Sequence, residues 1–277
     1  MSKKYDLLVV GGGSGGLAHA QRAAEYGVNV AVVEHGPLGG TCVNVGCVPK
    51  KVMWYAAHYA QELKYAADYG YDVSVKGHDW AALKSRRDAY IARLNNIYET
   101  NLDKRDVTYI AGDAKFIDAN TITVGNKRYQ AERVVIATGG QPIVPSIPGA
   151  ELGITSDGFF ALEQQPRRVL IAGSGYVAVE LAGVLNGLGS ETKVIVRKDG
   201  VLRGFDKMLS SELIDTMRKS GIEIKTGVVP ASVRSTDNGL VLTAEDGREF
   251  GPVDTLLWAV GRSPNTATLD LDKAGVD

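Results

Sequence analysis

The stretch YDLLVVGGGSGGLAHAQRAAEYGVNVAVVE, residues 5–34, decides the fold. Its apolar run Tyr5–Val10 predicts a buried strand, and the segment Gly11–Gly16 that follows contains five glycines. A helical pattern then covers Leu17–Tyr26, and a second apolar run covers Val28–Val33. The order of strand, glycine turn, helix and strand is typical of a βαβ unit of the Rossmann type.

A second stretch, RVLIAGSGYVAVELAGVLNGLGSETKVIV at residues 168–196, follows the same order. The predicted parts are a strand at Arg168–Ala172, a turn at Gly173–Gly175, a helix at Tyr176–Leu188 and a strand at Lys193–Val196. A glycine turn at a helix start offers backbone N–H groups and the positive end of the helix dipole to a pyrophosphate. We therefore predict an α/β protein with two Rossmann-like dinucleotide-binding domains, the second inserted in or following the first.

The remaining segments define the predicted domain boundaries. Residues 140–148 hold three of the nine prolines, which indicates a crossing between domains. We predict a first domain at 1–145 with a FAD site and a cysteine pair, an NADPH-binding domain at 146–264, and the start of a return to the first domain at 265–277. Further elements are predicted as helices at 50–69 and 80–102, strands at 108–111, 121–124 and 134–137, a hairpin-like region at 239–250 and a buried strand at 255–260.

Composition excludes several classes of partner. The chain has 277 residues, and its 31 Lys and Arg balance 32 Asp and Glu. Nucleic acid and anionic membranes usually select a clustered positive excess, so we expect neither as a partner. No apolar run approaches the roughly 20 residues of a transmembrane helix. With only two cysteines, the chain fits a reducing compartment, and we expect a cytoplasmic location.

The residue that ends the second strand of each unit predicts the nucleotide. Glu34 stands there in the first unit, and its carboxylate suits the two ribose hydroxyls of FAD or NAD. Val196 is the equivalent in the second unit, and Arg197, Lys198 and Arg203 follow it. Guanidinium groups can bind a 2′-phosphate through charge-assisted hydrogen bonds, which predicts NADPH. The alternative is a solvated basic turn, with Asp199 weakening its positive charge.

The two cysteines, Cys42 and Cys47, lie in GGTCVNVGCVPKK at residues 39–51. Five positions of a regular helix rise about 7.5 Å, more than the roughly 4.4–6.8 Å between the Cα atoms of a disulfide. A bridge here requires a distorted helix, and Gly46 and Pro49 supply the irregularity. The spacing favours a disulfide that opens and closes over a zinc site, which would need two more ligands, so we expect no metal. Two merely buried thiols are the alternative.

The segment at residues 39–51 resembles the redox-active signature of the class I pyridine nucleotide-disulfide oxidoreductase family. The first glycine turn, the ATGG turn at 137–140 and the GRSPNT segment at 261–266 match that family too. SDGFFAL at 156–162 and the second glycine turn resemble its glutathione-reducing members in particular. The resemblance implies an enzyme that reduces oxidised glutathione with NADPH, through FAD and the cysteine pair.

The resemblance also implies roles for single residues. Cys47 would face the flavin, Cys42 would exchange with the substrate disulfide, and Lys50 would pair with Glu180 beside the flavin. Tyr176 would cover the nicotinamide pocket until NADPH enters. Lys50 and Glu180 could instead be surface residues, and Tyr176 an aromatic at a helix start. The implied cofactor contacts are Gly11, Gly13, Ser14, Gly15, Gly16, Glu34, Thr41, Lys50, Ala114, Thr138, Gly139, Gly173, Ser174, Gly175, Val177, Ala178, Glu180, Arg197, Lys198, Arg203 and Gly261.

Five positions match the family's disulfide pocket, namely Ser14, Ala18, Gln21, Arg22 and Tyr98. A small neutral Ala18 beside cationic Arg22 suits the carboxylates of oxidised glutathione. Without the resemblance, Arg22 is a solvated helix residue and Tyr98 an aromatic at the edge of the core.

Family chains continue beyond the GRSPNT segment with a second flavin-binding strand and an interface domain that forms a homodimer and supplies a proton donor. This chain ends at Asp277 without them. We therefore expect weak FAD retention and little glutathione turnover from the chain alone. Two alternatives stay open: a nucleotide-binding module without disulfide turnover, and a dihydrolipoamide dehydrogenase, whose NADH preference Arg197 opposes.

Overall fold

The computed structural model describes residues 3–276. Its α-helices are α1 (Ser14–Ala24), α2 (Gly40–Asn44), α3 (Cys47–Tyr65), α4 (Trp80–Asp103), α5 (Ser156–Ala161), α6 (Tyr176–Gly187) and α7 (Lys207–Lys219). Its strands are β1 (Lys3–Val10), β2 (Val30–Glu34), β3 (Thr108–Ala111), β4 (Ala114–Asp118), β5 (Thr121–Val124), β6 (Lys127–Ile136), β7 (Gly140–Pro142), β8 (Ile154–Thr155), β9 (Arg168–Ala172), β10 (Glu191–Ile195), β11 (Glu223–Lys225), β12 (Pro230–Thr236), β13 (Gly239–Ala244), β14 (Glu249–Val253), β15 (Thr255–Trp258) and β16 (Arg262–Pro264). Short 3₁₀ helices lie at Ala66–Tyr69, Ala150–Leu152 and Leu271–Ala274.

The first of two compact units comprises the described residues of Met1–Pro49, Asp88–Gln141 and Ser263–Asp277. Its sheet has the strand order β3-β2-β1-β6-β5-β4. The strands β3, β2, β1 and β6 run parallel to one another, whereas β4 and β5 add antiparallel edges. Val30–Val33 are all buried, because a parallel strand inside an α/β layer is covered on both faces.

The second unit comprises Lys50–Arg87 and Pro142–Arg262. Its parallel sheet has the order β11-β10-β9-β15-β8, and β12, β13 and β14 form a separate antiparallel sheet. The core between them includes Trp258, whose ring is 1% exposed and whose Nε1 donates to the carbonyl of Ala150 at 2.8 Å. The indole therefore fills the core and satisfies its one polar atom.

Residues 50–87 belong to the second unit, whereas the sequence interpretation assigned them to the first domain. Buried Arg87 donates to the carbonyl of Phe160 at 2.7 Å, and Trp80 donates to the carbonyl of Leu162 at 2.9 Å. The part of helix α4 in this segment thus packs through contacts distant in sequence, which no local pattern reveals.

Four further local differences concern α1, β4, α7 and β6. Helix α1 begins at Ser14 instead of Leu17 and ends at Ala24, because the glycines of its first turn carry no apolar signal. Strand β4 and helix α7 were not predicted, and β6 is longer than expected. In α7, Asp206 caps the helix by accepting from the N–H of Met208 at 2.8 Å. Within residues 3–276, no helix combines the length and apolar character needed to cross a membrane.

An ion pair ties the start of β9 to the residue before β15. Asp254 accepts from Arg168 Nη2 at 2.6 Å and from the backbone N–H groups of Arg167 and Arg168 at 3.1 and 2.8 Å. The side-chain hydrogen bond from Arg168, followed by those backbone groups, lowers the pKa of Asp254 below its ordinary 3.8. A lowered folded-state pKa stabilises the fold above the ordinary value, and this stabilisation is lost as the pH falls through the folded pKa.

We expect Asp254→Ala to lower the thermal midpoint at neutral pH by about 3 °C, since the lost hydrogen bonds, discounted for partial exposure, are worth about 1 kcal/mol. The difference between wild type and variant should shrink below pH 4, as scanning calorimetry at several pH values would show. Asp246→Ala is the matched control, because Asp246, among the residues that the structure describes, pairs only with its near neighbour Arg248 on an exposed hairpin. An equal loss in both variants would contradict the prediction.

Candidate functional site

The first glycine turn is held by backbone contacts. Gly11 follows β1 with φ of 113°, and a Cβ added there would collide with the carbonyl of Ala137. Only glycine fits this left-handed, backbone-packed position. Helix α1 then begins after Gly13, which has no side chain to cap the first N–H groups. The turn thus leaves a row of backbone donors at the positive end of a helix, which suits a phosphate.

Glu34 ends β2, as predicted, and its carboxylate is 12% exposed. Oε2 accepts from the N–H of Gly12 and Oε1 from the N–H of Gly36, both at 2.7 Å. Each oxygen keeps acceptor capacity for a further donor such as a ribose hydroxyl. Burial, followed by the charges of Glu34 and Glu99, raises the pKa of Tyr109 on the neighbouring strand. The two hydrogen bonds from Gly12 and Gly36 fix the Glu34 carboxylate beside the glycine turn.

A cavity of about 170 Å³ opens between these groups in the first unit. It brings together five predicted cofactor contacts, namely Gly11, Glu34, Thr41, Ala114 and Thr138. Gly13, Ser14, Gly15, Gly16 and Gly139 are not part of its lining, although Ser14 and Gly15 are exposed at the start of α1. The sequence interpretation missed several lining residues, namely His35, Gly40, Gly112, Asp113, Asn265, Thr268 and Leu269.

Two of the missed residues tie separate segments to this cavity. His35 Nδ1 lies 2.9 Å from Asp113 Oδ1, which links the loops after β2 and β3. Asn265 donates from its backbone N–H to Gly139 and from Nδ2 to Thr138, at 3.0 and 3.2 Å. The GRSPNT and ATGG segments are therefore in contact. Each of them follows a predicted strand, so the sequence could have suggested this contact.

The cysteines lie on two different helices. Half-buried Cys42 is in α2, and exposed Cys47 begins α3. The expected helix distortion is present, since the backbone leaves helical geometry at Val45 with φ of −140° and ψ of 37°. A Cβ added to Gly46 would lie 2.7 Å from the carbonyl oxygen of Thr41 and 3.3 Å from the Cα of Cys42. The chain thus folds back tightly, so the residue preceding Cys47 touches the turn that carries Cys42.

Helix α2 rests on the first glycine turn. Gly39 donates its N–H to the carbonyl of Gly12 at 2.8 Å, and a bridge joins Gly39 to Gly13. A Cβ on Gly40 would lie 2.7 Å from the Cα of Gly13. The segment that carries Cys42 therefore begins in backbone contact with the turn predicted to bind a dinucleotide.

Lys50 and Glu180 meet within the second unit. Lys50 Nζ donates to Glu180 Oε1 at 2.7 Å, and the two side chains are 20% and 38% exposed. Partial shielding from water strengthens such a charge-assisted pair. The predicted partners are thus in contact, and their role toward a flavin stays a prediction.

The second glycine turn copies the first. Gly173 has φ of 151°, and a Cβ there would collide with the carbonyl of Ala259. Helix α6 follows Gly175, and Leu202 donates its N–H to the carbonyl of Ser174 at 2.7 Å. This bond brings the loop that carries Arg203 against the glycine turn. Arg203, Arg197 and Lys198 are exposed, and within residues 3–276 none of them forms an ion pair.

A cavity of about 240 Å³ lies beside this turn. Its lining includes the predicted Gly175, Tyr176, Val177 and Gly261, and Tyr176 is 59% exposed over it. The lining does not include several other predicted cofactor contacts of the second unit, namely Gly173, Ser174, Ala178, Glu180, Arg197, Lys198 and Arg203. The sequence interpretation missed five residues that do line the cavity, because their segments meet only in the folded unit. These residues are Pro142, Ser156, Trp258, Ala259 and Arg262.

The predicted substrate residues divide into two groups. Ser14, Ala18 and Arg22 recur every four residues on one exposed face of α1. Arg22 already pairs with Glu25 at 2.6 Å and stacks over the ring of Tyr26. Gln21 donates to the carbonyl of Leu17, and Tyr98 packs half-buried against the core. These contacts are those of a helix surface and a core edge, so a substrate role stays a prediction.

Comparisons with known proteins agree with this arrangement. The family model described as "Pyridine nucleotide-disulphide oxidoreductase" matches residues 5–277. A glutathione reductase of Schizosaccharomyces pombe (strain 972 / ATCC 24843) is 49% identical over 287 residues, which cover all of this chain and 62% of that protein. A glutathione reductase of Yarrowia lipolytica (strain CLIB 122 / E 150) is 47% identical, with 98% of this chain and 62% of that protein covered.

Among solved structures, the Cu(II) complex of the HOCl-induced flavoprotein disulfide reductase RclA from Escherichia coli superposes with a TM-score of 0.87. That protein is 28% identical, and the match covers all of this chain and 60% of the solved one. The chain therefore spans about three fifths of the length of the relatives it matches.

Two glycine turns of the dinucleotide-binding type and a closely spaced cysteine pair agree with the class of proteins that the family model describes. The chain belongs to the pyridine nucleotide-disulphide oxidoreductase family. Within that family it is similar to glutathione reductases.

Proposed function

We propose that this chain carries the FAD site, the NADPH site and the redox-active disulfide of an enzyme that reduces oxidised glutathione. The observation that carries the proposal is the contact between α2, which bears Cys42, and the first glycine turn, through Gly39 and Gly12. A thiol pair in this position can exchange electrons with a flavin bound by that turn. The glutathione reductases to which the chain is similar make glutathione the substrate that we propose.

The first unit fits FAD by its donor set. The N–H groups at the start of α1 suit a pyrophosphate, and the Glu34 carboxylate suits ribose hydroxyls. Within residues 3–276, no atom lies within 4 Å of a Cβ built on Gly15, so a phosphate has room there. The chemistry that FAD supplies when bound is the acceptance of a hydride and its delivery as an electron pair to a disulfide.

The chain's own residues then divide the work. Cys47 is the thiol that we place toward the flavin, and exchange with a substrate disulfide falls to Cys42, both by analogy with the family. Lys50, held by Glu180 at 2.7 Å, presents a fixed positive charge. The family resemblance implies that this charge lies beside the flavin. Tyr176 covers the second cavity, where it can exclude water until the nicotinamide binds.

In the second unit, Arg197 and Arg203 are the residues that we propose for the 2′-phosphate of NADPH. Both are exposed, and the bond between Leu202 and Ser174 keeps the Arg203 loop against the turn that would bind the pyrophosphate. A homodimer, which the family resemblance implies, and a cytoplasmic location, which the low cysteine count favours, stay predictions. Size-exclusion chromatography and cell fractionation can check them.

A visible spectrum of the purified chain with FAD, before and after anaerobic NADPH, tests this function. We expect flavin absorption first, and then a long-wavelength band from a thiolate in contact with the flavin ring. Cys42→Ser should show that band before any reduction, because Cys47 is then left without its disulfide partner. Cys47→Ser should bind FAD equally and lack the band in every state. If neither cysteine affects the flavin spectrum, the proposed relay is wrong.

A further inference from the structure

Helix α2, the segment that carries Cys42, has little intrinsic stability. It has five residues, and an isolated helix of one turn is not stable in water. Its entry passes through two left-handed glycines, Gly39 at φ of 99° and Gly40 at 56°, and its exit breaks at Val45. The position of Cys42 must therefore be fixed by contacts from outside the helix.

Asn44, the midpoint of the segment between the two cysteines, supplies one set of these contacts. Its Nδ2 donates to the carbonyls of Gly40, Pro37 and Leu38 at 2.9, 3.2 and 3.3 Å. The amide therefore ties the last residue of α2 back to its first residue and to the loop before it. An amide side chain in this role fixes the backbone much as a helix cap does.

Asn95 of helix α4 supplies the second set. Its Nδ2 donates to the carbonyl of Leu38 at 2.7 Å and to Oδ1 of Asn44 at 3.0 Å. These contacts determine which way the Asn44 amide points, because its oxygen faces a donor and its nitrogen faces three carbonyls. Helix α4 has 24 residues, so the pair Asn44 and Asn95 anchors the short cysteine helix to a long one.

We propose that Asn44 and Asn95 are positioning residues that set the redox potential of the Cys42–Cys47 pair. The inference rests on the proposed function in one respect, namely that this pair forms a reversible disulfide. By holding α2 still, the two amides keep the Cys42 sulfur within reach of Cys47 after reduction. A larger effective concentration of one thiol at the other favours the disulfide.

The equilibrium that measures this effect is exchange with glutathione. Two glutathione thiols reduce the protein disulfide: the bond between Cys42 Sγ and Cys47 Sγ breaks, and one glutathione disulfide forms. Two electrons and two protons pass from glutathione to the cysteines. The equilibrium constant of this exchange gives the effective concentration of the pair directly.

Asn44→Leu keeps the branched shape of the side chain, in a larger volume, and removes all four hydrogen bonds. We expect the effective concentration of the pair to fall about tenfold, which makes its potential about 30 mV less negative. The full chain is equilibrated in glutathione buffers of graded ratio, the thiols are alkylated, and the oxidised fraction is counted by mass spectrometry. Asn95→Ala removes the brace from α4 and leaves the three bonds from Asn44 to carbonyls, so we expect about a threefold fall.

Asn120→Leu is the matched control. Its Nδ2 also joins two backbone carbonyls, those of Ala131 and Glu132, at 3.0 and 2.9 Å in the same unit. A general loss of stability would affect this variant as much as Asn44→Leu, whereas its potential should equal that of wild type. An unchanged or more negative potential in both Asn44→Leu and Asn95→Ala overturns the inference, as does an equal shift in Asn120→Leu. If Asn44→Leu does not fold, Asn95→Ala decides.

The wild-type chain separates the two proposals. If wild type forms no disulfide between Cys42 and Cys47 in any buffer, the proposed function fails. If wild type forms the disulfide and the asparagine variants match it, only the positioning role fails.

Discussion

Replacing Arg197 and Arg203 together by alanine is expected to weaken NADPH binding about a hundredfold or more, and to change NADH binding less than about threefold. Each guanidinium that binds a 2′-phosphate contributes roughly 1.5–3 kcal/mol through charge-assisted hydrogen bonds. Both side chains are exposed and, within residues 3–276, without an ion pair, so their removal leaves no buried group unsatisfied. Isothermal titration of the full chain with each nucleotide gives both dissociation constants.

Arg218→Ala is the control for the general loss of positive charge. Arg218 is also an exposed arginine of the second unit, on α7, with only a loose pair to Asp215 at 4.0 Å. It should leave the preference for NADPH intact. A similar loss of affinity for NADPH and NADH in the double variant would mean that these arginines act on the part common to both nucleotides. An unaltered NADPH affinity would support the solvated basic turn.

The two glycine turns could be predicted from sequence because the requirement for glycine is local. Gly11 and Gly173 each follow a buried strand directly and have a positive φ, against the backbone of Ala137 and Ala259. Apolar strand, glycine and helix lie within about thirty residues, so the pattern contains the whole unit. The irregularity between Cys42 and Cys47 was predictable for the same reason.

The contacts that complete the sites could not be predicted, because they join residues far apart in sequence. Asn95 reaches Leu38 across 57 positions, and Asn265 reaches Thr138 across 127. Trp258 looks like an ordinary strand residue until the fold places it in the lining of the second cavity. No periodicity carries such information, and the sequence interpretation accordingly placed residues 50–87 in the first domain, whereas they group with the second compact unit.

Gly15→Ala is expected to abolish most FAD binding without destabilising the chain. Alanine is favoured over glycine inside a helix by roughly 0.5–1 kcal/mol, so the thermal midpoint should hold or rise by about 2 °C. Within residues 3–276 no atom lies within 4 Å of the new Cβ, so the fold accepts it. The methyl group would occupy the space that we propose for the phosphate. Loss of two charge-assisted hydrogen bonds there should raise the dissociation constant about thirtyfold or more, measured by quenching of flavin fluorescence.

Gly11→Ala in the same turn should have the opposite profile. Its Cβ would collide with the carbonyl of Ala137 at a φ of 113°, so the backbone itself must move. Left-handed strain and the clash together should cost about 3 kcal/mol or more, which lowers the thermal midpoint by about 10 °C. A loss of FAD binding in Gly15→Ala and a loss of stability in Gly11→Ala are expected together only if a ligand lies over the first turn of α1. If Gly15→Ala binds FAD as wild type does, the FAD pyrophosphate does not lie on this turn, and the proposed position of the flavin beside the cysteine pair loses its basis.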